Sequence, residues 1–125
     1  DAADPLSWVE HAEEDYALIR SCLRRKRPLT HSASFHAQQC AEKYMKALLV
    51  AKKTKFAKTH DLLVLSALCA KAGILLGMDT TRLQKLSAYA VQARYPGDDP
   101  TLEEARDALE IAKAVRRFAR KLLNV

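Results

Sequence analysis

His36, Gln39 and Lys43 recur three and four residues apart within Ser34–Leu49, a run of strongly helix-forming residues. That spacing puts all three on one flank of a helix. An imidazole, an amide and an ammonium side by side can hold a phosphate or read a base edge. The plainer alternative is a flank packed against a second subunit or a neighbouring helix, with Gln38 and Glu42 closing hydrogen bonds. Glu42 and Lys46 have the i,i+4 spacing of an ordinary helical ion pair, worth about 0.2–0.5 kcal/mol. Phe35, Ala41, Tyr44, Leu48 and Ala51 are expected to form the buried side of the same helix.

Two further combinations could do chemistry. In His60-Asp61 a carboxylate could orient an imidazole for acid–base work; alternatively Asp61 satisfies free amides at a helix start. In Arg94-Tyr95, just before Pro96-Gly97, a guanidinium beside a phenol suits phosphate and stacking contacts; Asp98 and Asp99 offer Arg94 an ion-pair partner instead. Metal binding finds no support. His31 and His36 are five apart, off one helix face, and no second histidine joins His11 at i+3 or i+4. The serines lie in no glycine-rich elbow, and no phosphate-binding glycine loop is present.

Helices must position these residues. Asp4-Pro5 is a capped opening for a first helix over Pro5 to Arg25, with Val9, Ala12, Tyr16, Ile19 and Leu23 as its stripe. Its early glutamates and late arginines match the helix dipole. Thr30 or Ser32 should cap a second helix reaching Lys53, and Thr59 a third carrying Leu62, Leu65 and Cys69. Asp79 or Thr80 should open a fourth with Leu83, Leu86 and Tyr89. Asp99-Pro100 repeats the first opening, for a fifth helix ending near Leu123 whose stripe runs from Leu102 to Leu122. The sequence therefore predicts an all-α, up-and-down bundle of about five helices in a single domain over residues 1–125, with the second and last helices as its spine.

Composition agrees. Among 125 residues there are 3 glycines and 4 prolines, too few for a chain of many strands and tight turns. The formal net charge is +6, compatible with a polyanionic partner. The bases gather around Arg20–Arg27, Lys52–Lys58 and Arg116–Lys121; only parallel first and last helices would merge the first group with the third. Cys22, Cys40 and Cys69 are odd in number and form no CxxC pair, the pattern of free thiols in a reducing cytoplasm. No apolar run reaches the roughly 20 residues of a membrane span, so no membrane association is expected. Trp8 is expected to be a core or interface anchor.

Phe35 through Leu49, then Thr59-His60-Asp61-Leu62, then Ala93-Arg94-Tyr95-Pro96-Gly97, occur in an order that resembles a HEPN domain (higher eukaryotes and prokaryotes nucleotide-binding). The resemblance covers nearly the whole chain. It implies a helical bundle, often a homodimer, frequently encoded beside a minimal nucleotidyltransferase in toxin–antitoxin or stress systems. Many such proteins are metal-independent ribonucleases that carry an arginine four to six residues before a histidine near the start of a late helix. Others are non-catalytic nucleotide- or RNA-binding modules. Here no histidine follows His60, and the nearest match is Arg82 to Tyr89. The resemblance thus implies a nucleotide- or RNA-binding module needing no cofactor, with His36, Gln39, Lys43, His60, Arg94 and Tyr95 as contact residues and a nucleotidyltransferase as protein partner. One alternative is an endoribonuclease with a degenerate Arg-x6-Tyr motif, Arg82 stabilising charge and Tyr89 moving a proton. Another is a pure protein-interaction module.

Overall fold

A computed structural model describes residues 1–91 and 97–125. Its described residues form five helices and no strand: α1 (Pro5–Arg24), α2 (Thr30–Ala51), α3 (Leu62–Lys71), α4 (Thr80–Val91) and α5 (Leu102–Leu123). The predicted all-α bundle is therefore the fold. None of these helices is long and apolar enough to cross a membrane.

Three caps differ from expectation, each for a local reason. α2 starts from Leu29 without a side-chain cap, so neither Thr30 nor Ser32 plays that part. At α3 the cap is Asp61, whose Oδ1 accepts from the Leu63 and Val64 amides; Thr59 instead accepts from the Asp61 amide. At α5 the cap is Thr101, not Asp99. The Thr101 hydroxyl accepts from the Glu104 amide and the Glu104 carboxylate accepts from the Thr101 amide, a reciprocal box that satisfies two otherwise orphaned donors. At α1 and α4 the caps follow the sequence: Asp4 accepts from the Leu6 amide and Asp79 from the Thr81 amide.

α2 is the central element, in contact with the other four helices, whereas α1 and α5 touch each other only slightly. The spine is thus α2 alone, flanked by α1 on one side and α5 on another. α1 runs antiparallel to α2: Trp8 lies beside Lys46, Asp15 lies between His36 and Lys43, and the Leu29 amide donates to the Cys22 carbonyl. α5 runs parallel to α2, since Asp99 sits with Thr30 and His31 around a small surface cavity while Arg120 reaches Tyr44. The Arg20–Arg27 bases consequently lie at one end of the bundle, and the Lys52–Lys58 and Arg116–Lys121 groups lie towards the other.

The core is continuous. Ile19, Tyr44, Met45, Leu48, Leu49, Leu62, Leu65, Leu83, Leu86 and Ile111 are fully buried in it. The small residues Ala37, Ala41, Ala105, Ala108 and Ala112 of α2 and α5 are fully buried as well. On α2, Ala41, Tyr44 and Leu48 are buried as expected, but Phe35 is 43% exposed and Ala51 is also exposed. Phe35 precedes Ala41 by six residues, which turns it roughly 120° away from the buried stripe. Ala51 is the last residue of the helix. At either end of α5, Leu102 and Leu122 of the expected stripe are exposed as well.

Candidate functional site

Three charged networks surround α2, and the sequence names part of each. The first joins α2 to α1. Asp15 is 5% exposed. Its Oδ1 lies 2.8 Å from His36 Nδ1 and its Oδ2 accepts from Lys43 Nζ at 2.6 Å. A buried carboxylate thus gathers two of the three residues singled out on this flank, and helical spacing places Gln39 between them. With Nδ1 committed to Asp15, the other ring nitrogen of His36 is turned away from the carboxylate, and no partner meets it among the described residues. Both His36 and Lys43 keep about a quarter of their side-chain surface in solvent. Phe35 stands beside His36, ring centroids 5.2 Å apart and edge to face. An exposed aromatic, an oriented imidazole, an amide and a positioned ammonium therefore share one open flank of α2. The Lys43–Asp15 pair is electrically near neutral, so this face offers hydrogen bonds and a stacking surface more than a strong field.

The second network lies one turn on. Glu42, 2% exposed, accepts from Lys46 Nζ at 2.9 Å and lies 3.0 Å from His60 Nδ1. The Gln38 amide donates to the His60 carbonyl at 2.9 Å. His60 itself projects outward, its side chain 83% exposed. Glu42, not Asp61, orients this imidazole, because Asp61 is engaged in capping α3. His60 and Gln38 line a cleft of about 380 Å³ with Gln84 and Ser87 of α4, so His60 faces a different groove from His36.

The third network ties α5 to the others. Arg116 grips Glu13 with two parallel bonds, Nε to Oε2 at 2.7 Å and Nη2 to Oε1 at 2.8 Å, while its guanidinium lies 4.2 Å from the Tyr16 ring centroid. The Tyr44 hydroxyl donates to Glu13 Oε2 and accepts from Arg120 at 3.4 Å. The Arg116 hydrogen bonds, partly opposed by burial and helped by Tyr44, hold the Glu13 carboxyl below the usual glutamate range. Burial, reinforced by the bond to Glu13, pushes the Tyr44 phenol upward. Arg116 and Arg120 therefore do more than complement the α5 dipole.

Arg82 and Tyr89 fall on one face of α4, seven residues and so roughly 10 Å apart along the axis. The Tyr89 hydroxyl donates to Asp107 Oδ2 at 2.8 Å, and partial burial together with that bond raises its pKa to about 12. A phenol so held is a weak base at neutral pH. Arg82 is half-buried and pairs with no carboxylate among the described residues. Arg94 and Tyr95, with the turn expected at Tyr95-Pro96-Gly97, lie outside the described residues except for Gly97, whose φ is +97°. Among the described residues no three His, Cys, Asp or Glu side chains are placed to hold a metal ion.

Asp15, Glu13 and Arg116 were not legible as site residues from α2 alone. The signal for Asp15 was nonetheless present: it stands three residues after Ala12 and four before Ile19, an acid in the register of the buried stripe. The HEPN domain profile matches residues 6–122 of the 125. No curated protein and no solved structure matches the chain. The match runs from the first turn of α1 to the last turn of α5 and includes every element that places these networks; the chain belongs to the HEPN domain family.

Proposed function

We propose that this HEPN domain is a nucleotide- or RNA-binding module whose contact face is the open flank of α2, and that it works as a homodimer beside a minimal nucleotidyltransferase in a toxin–antitoxin or stress system. One observation supports the reading above others: buried Asp15 fixes His36 and Lys43 beside an exposed Phe35. An exposed aromatic ring beside an anchored imidazole and ammonium gives a ligand a defined surface to meet. An oriented imidazole and amide read base edges, and an aromatic ring stacks on any base. Backbone attraction comes from the lysines at the far end of α2, which fits the net charge of +6.

Binding of a labelled single-stranded RNA, measured at several salt concentrations in EDTA, tests this. Phe35→Ala removes a stacking platform worth about 1–3 kcal/mol, so affinity should fall at least fivefold while the fold stays intact. Unchanged affinity in Phe35→Ala and Gln39→Ala would refute the proposed face. Metal-independent cleavage of the RNA that disappears in Arg82→Ala would replace the binding reading with the endoribonuclease one.

A further inference from the structure

A larger recess lies on the bundle where α2 ends. Its volume is about 630 Å³, ample for an inserted side chain and its neighbours. Its floor is apolar. Trp8 of α1 and Phe56 of the α2–α3 connector meet there edge to face, ring centroids 6.4 Å apart, and Val50 and Ala2 line it as well. The Trp8 Nε1 donates to the Ala2 carbonyl at 3.0 Å, which satisfies the one polar atom of the indole. Its rim is cationic. Lys53, Lys55 and Lys58 are exposed there, and none pairs with a carboxylate among the described residues. None of the described residues that line the recess is acidic.

The rim is kept at a conformational cost. Lys53 follows the last turn of α2 with φ +53°, the left-handed conformation that helix ends mostly give to glycine. A lysine held where glycine would be unstrained points to a use for its side chain. Lys55 and Lys58 lie past the helix end, beyond the turn in which a lysine merely complements the dipole. The floor, for its part, suits an aliphatic group better than a flat ring. The Lys46 ammonium lies over both aromatic rings, 5.5 Å from the Trp8 centroid and 5.9 Å from the Phe56 centroid, so one face of each ring is already taken. Base stacking needs an open face. Glu42 neutralises Lys46, which leaves the floor without net charge beneath a positive rim.

We infer that this recess docks an acidic segment of a partner protein, with one aliphatic side chain on the apolar floor and the carboxylates on either side of it paired with Lys53, Lys55 and Lys58. Complementary charge steers such a segment and fixes its register, and a desolvated apolar anchor inside a polar rim supplies the holding contact. The same lysines attract RNA at long range in the proposed function; the aliphatic anchor is a contact that RNA does not make. The site is separate from the Phe35–Lys43 face and does not rest on the RNA contacts proposed there.

Calorimetric titration of the whole protein with the peptide acetyl-Glu-Glu-Leu-Glu-Glu-amide tests this. Saturable binding is expected. The same peptide with serine in place of leucine should bind about tenfold more weakly, for want of the apolar anchor. Lys55→Glu/Lys58→Glu changes only exposed side chains and should weaken the leucine peptide about tenfold, as attractive contacts become repulsive. Lys53→Gly relieves the backbone and removes an ammonium, so it should raise the melting temperature and yet weaken the peptide. A purely structural role for Lys53 predicts the first change without the second. Phe35→Ala should leave the peptide titration unaltered while RNA affinity falls. Absence of saturable heat at about 1 mM peptide overturns the inference, as does indifference to the double lysine reversal. Equal affinity for the leucine and serine peptides, with both displaced by single-stranded RNA, makes the recess a general polyanion surface and overturns it too. RNA binding through Phe35 that persists in any of these cases leaves the proposed function standing and removes only this site.

Discussion

Asp15→Asn isolates what the buried carboxylate does. The substitution keeps shape and volume and removes one charge. In the native protein Asp15 makes two charge-assisted contacts, 2.8 Å to His36 and 2.6 Å to Lys43, each worth about 1.5–3 kcal/mol where the partner charge is fully desolvated. Here His36 and Lys43 keep about a quarter of their side-chain surface in water, so both can swing out and recover hydration. Asparagine also retains one acceptor for the ammonium. The expected net loss is therefore about 2 kcal/mol, below the ~3–5 kcal/mol of breaking a fully enclosed pair. For a domain of this size that lowers Tm by about 8 °C. Calorimetric or circular-dichroism melts of the wild type, Asp15→Asn, Lys43→Met and the double variant measure it, and the cycle should return a coupling of about 1–2 kcal/mol. The same substitution frees Lys43 from its counter-charge. RNA binding should then become more salt-dependent, the slope steepening by about 0.7 for one added single-strand phosphate contact, while discrimination among bases declines as His36 loses its orientation. A melt within about 1 °C of wild type, or an unaltered salt slope, would show that Asp15 does not anchor this face.

Glu13 gives a pH signature. Its carboxyl is held below the ordinary range, chiefly by Arg116, so the folded state binds this proton less readily than the unfolded chain. The resulting stability is complete above the unfolded glutamate pKa of about 4.3 and is lost as pH falls through the lower folded value. Denaturation midpoints across pH 3 to 6 should show a shallower acid limb for Glu13→Gln than for wild type. Thr101→Ala removes half of the α5 capping box and should cost about 1 kcal/mol in urea unfolding, with an unchanged m-value. Leu83→Ala, at a fully buried α4 position, should cost about 2–5 kcal/mol by the same measurement.

The helices were legible because periodicity and punctuation agreed: few glycines, a proline at the start of α1 and buried stripes three and four residues apart. Boundaries were less so where two capping signals competed. Asp99-Pro100 copies the α1 opening, yet Thr101-Leu-Glu-Glu104 is a reciprocal capping box and captured the helix two residues later. The candidate face was half legible. A single helix shows which side chains share a flank, and so His36, Gln39 and Lys43 came out together. It does not show which side chain of another helix lies opposite, and Asp15 is twenty-one residues from His36 in sequence. Phe35 went astray for a related reason: a hydrophobic side chain reads as core unless its angle around the helix is followed through six residues.

The networks around α2 also neutralise several of this basic chain's cations where its helices meet. Lys43 meets Asp15, Lys46 meets Glu42, and Arg116 and Arg120 converge on Glu13. Each of these cations is tied to a carboxylate that is buried or half-buried, so the interhelical contacts absorb charge that would otherwise decorate the surface. Among the described residues, the charge left without such partners includes Arg24, Arg25, Lys26 and Arg27 at one end of the bundle, and Lys53, Lys55 and Lys58, which follow α2, with Arg117 and Lys121 near the end of the parallel α5, towards the other. On the proposed function, electrostatic attraction and shape-specific contact would be separated on the molecule: the unpaired bases would draw an anion in, and the nearly neutral Phe35–Lys43 flank would discriminate what arrives. Charge reversal at Lys55 and Lys58 should for that reason slow RNA association and lower its salt dependence, whereas Phe35→Ala should speed dissociation with the salt slope intact. If both changes acted on the same rate constant, the two regions would not divide the work in this way.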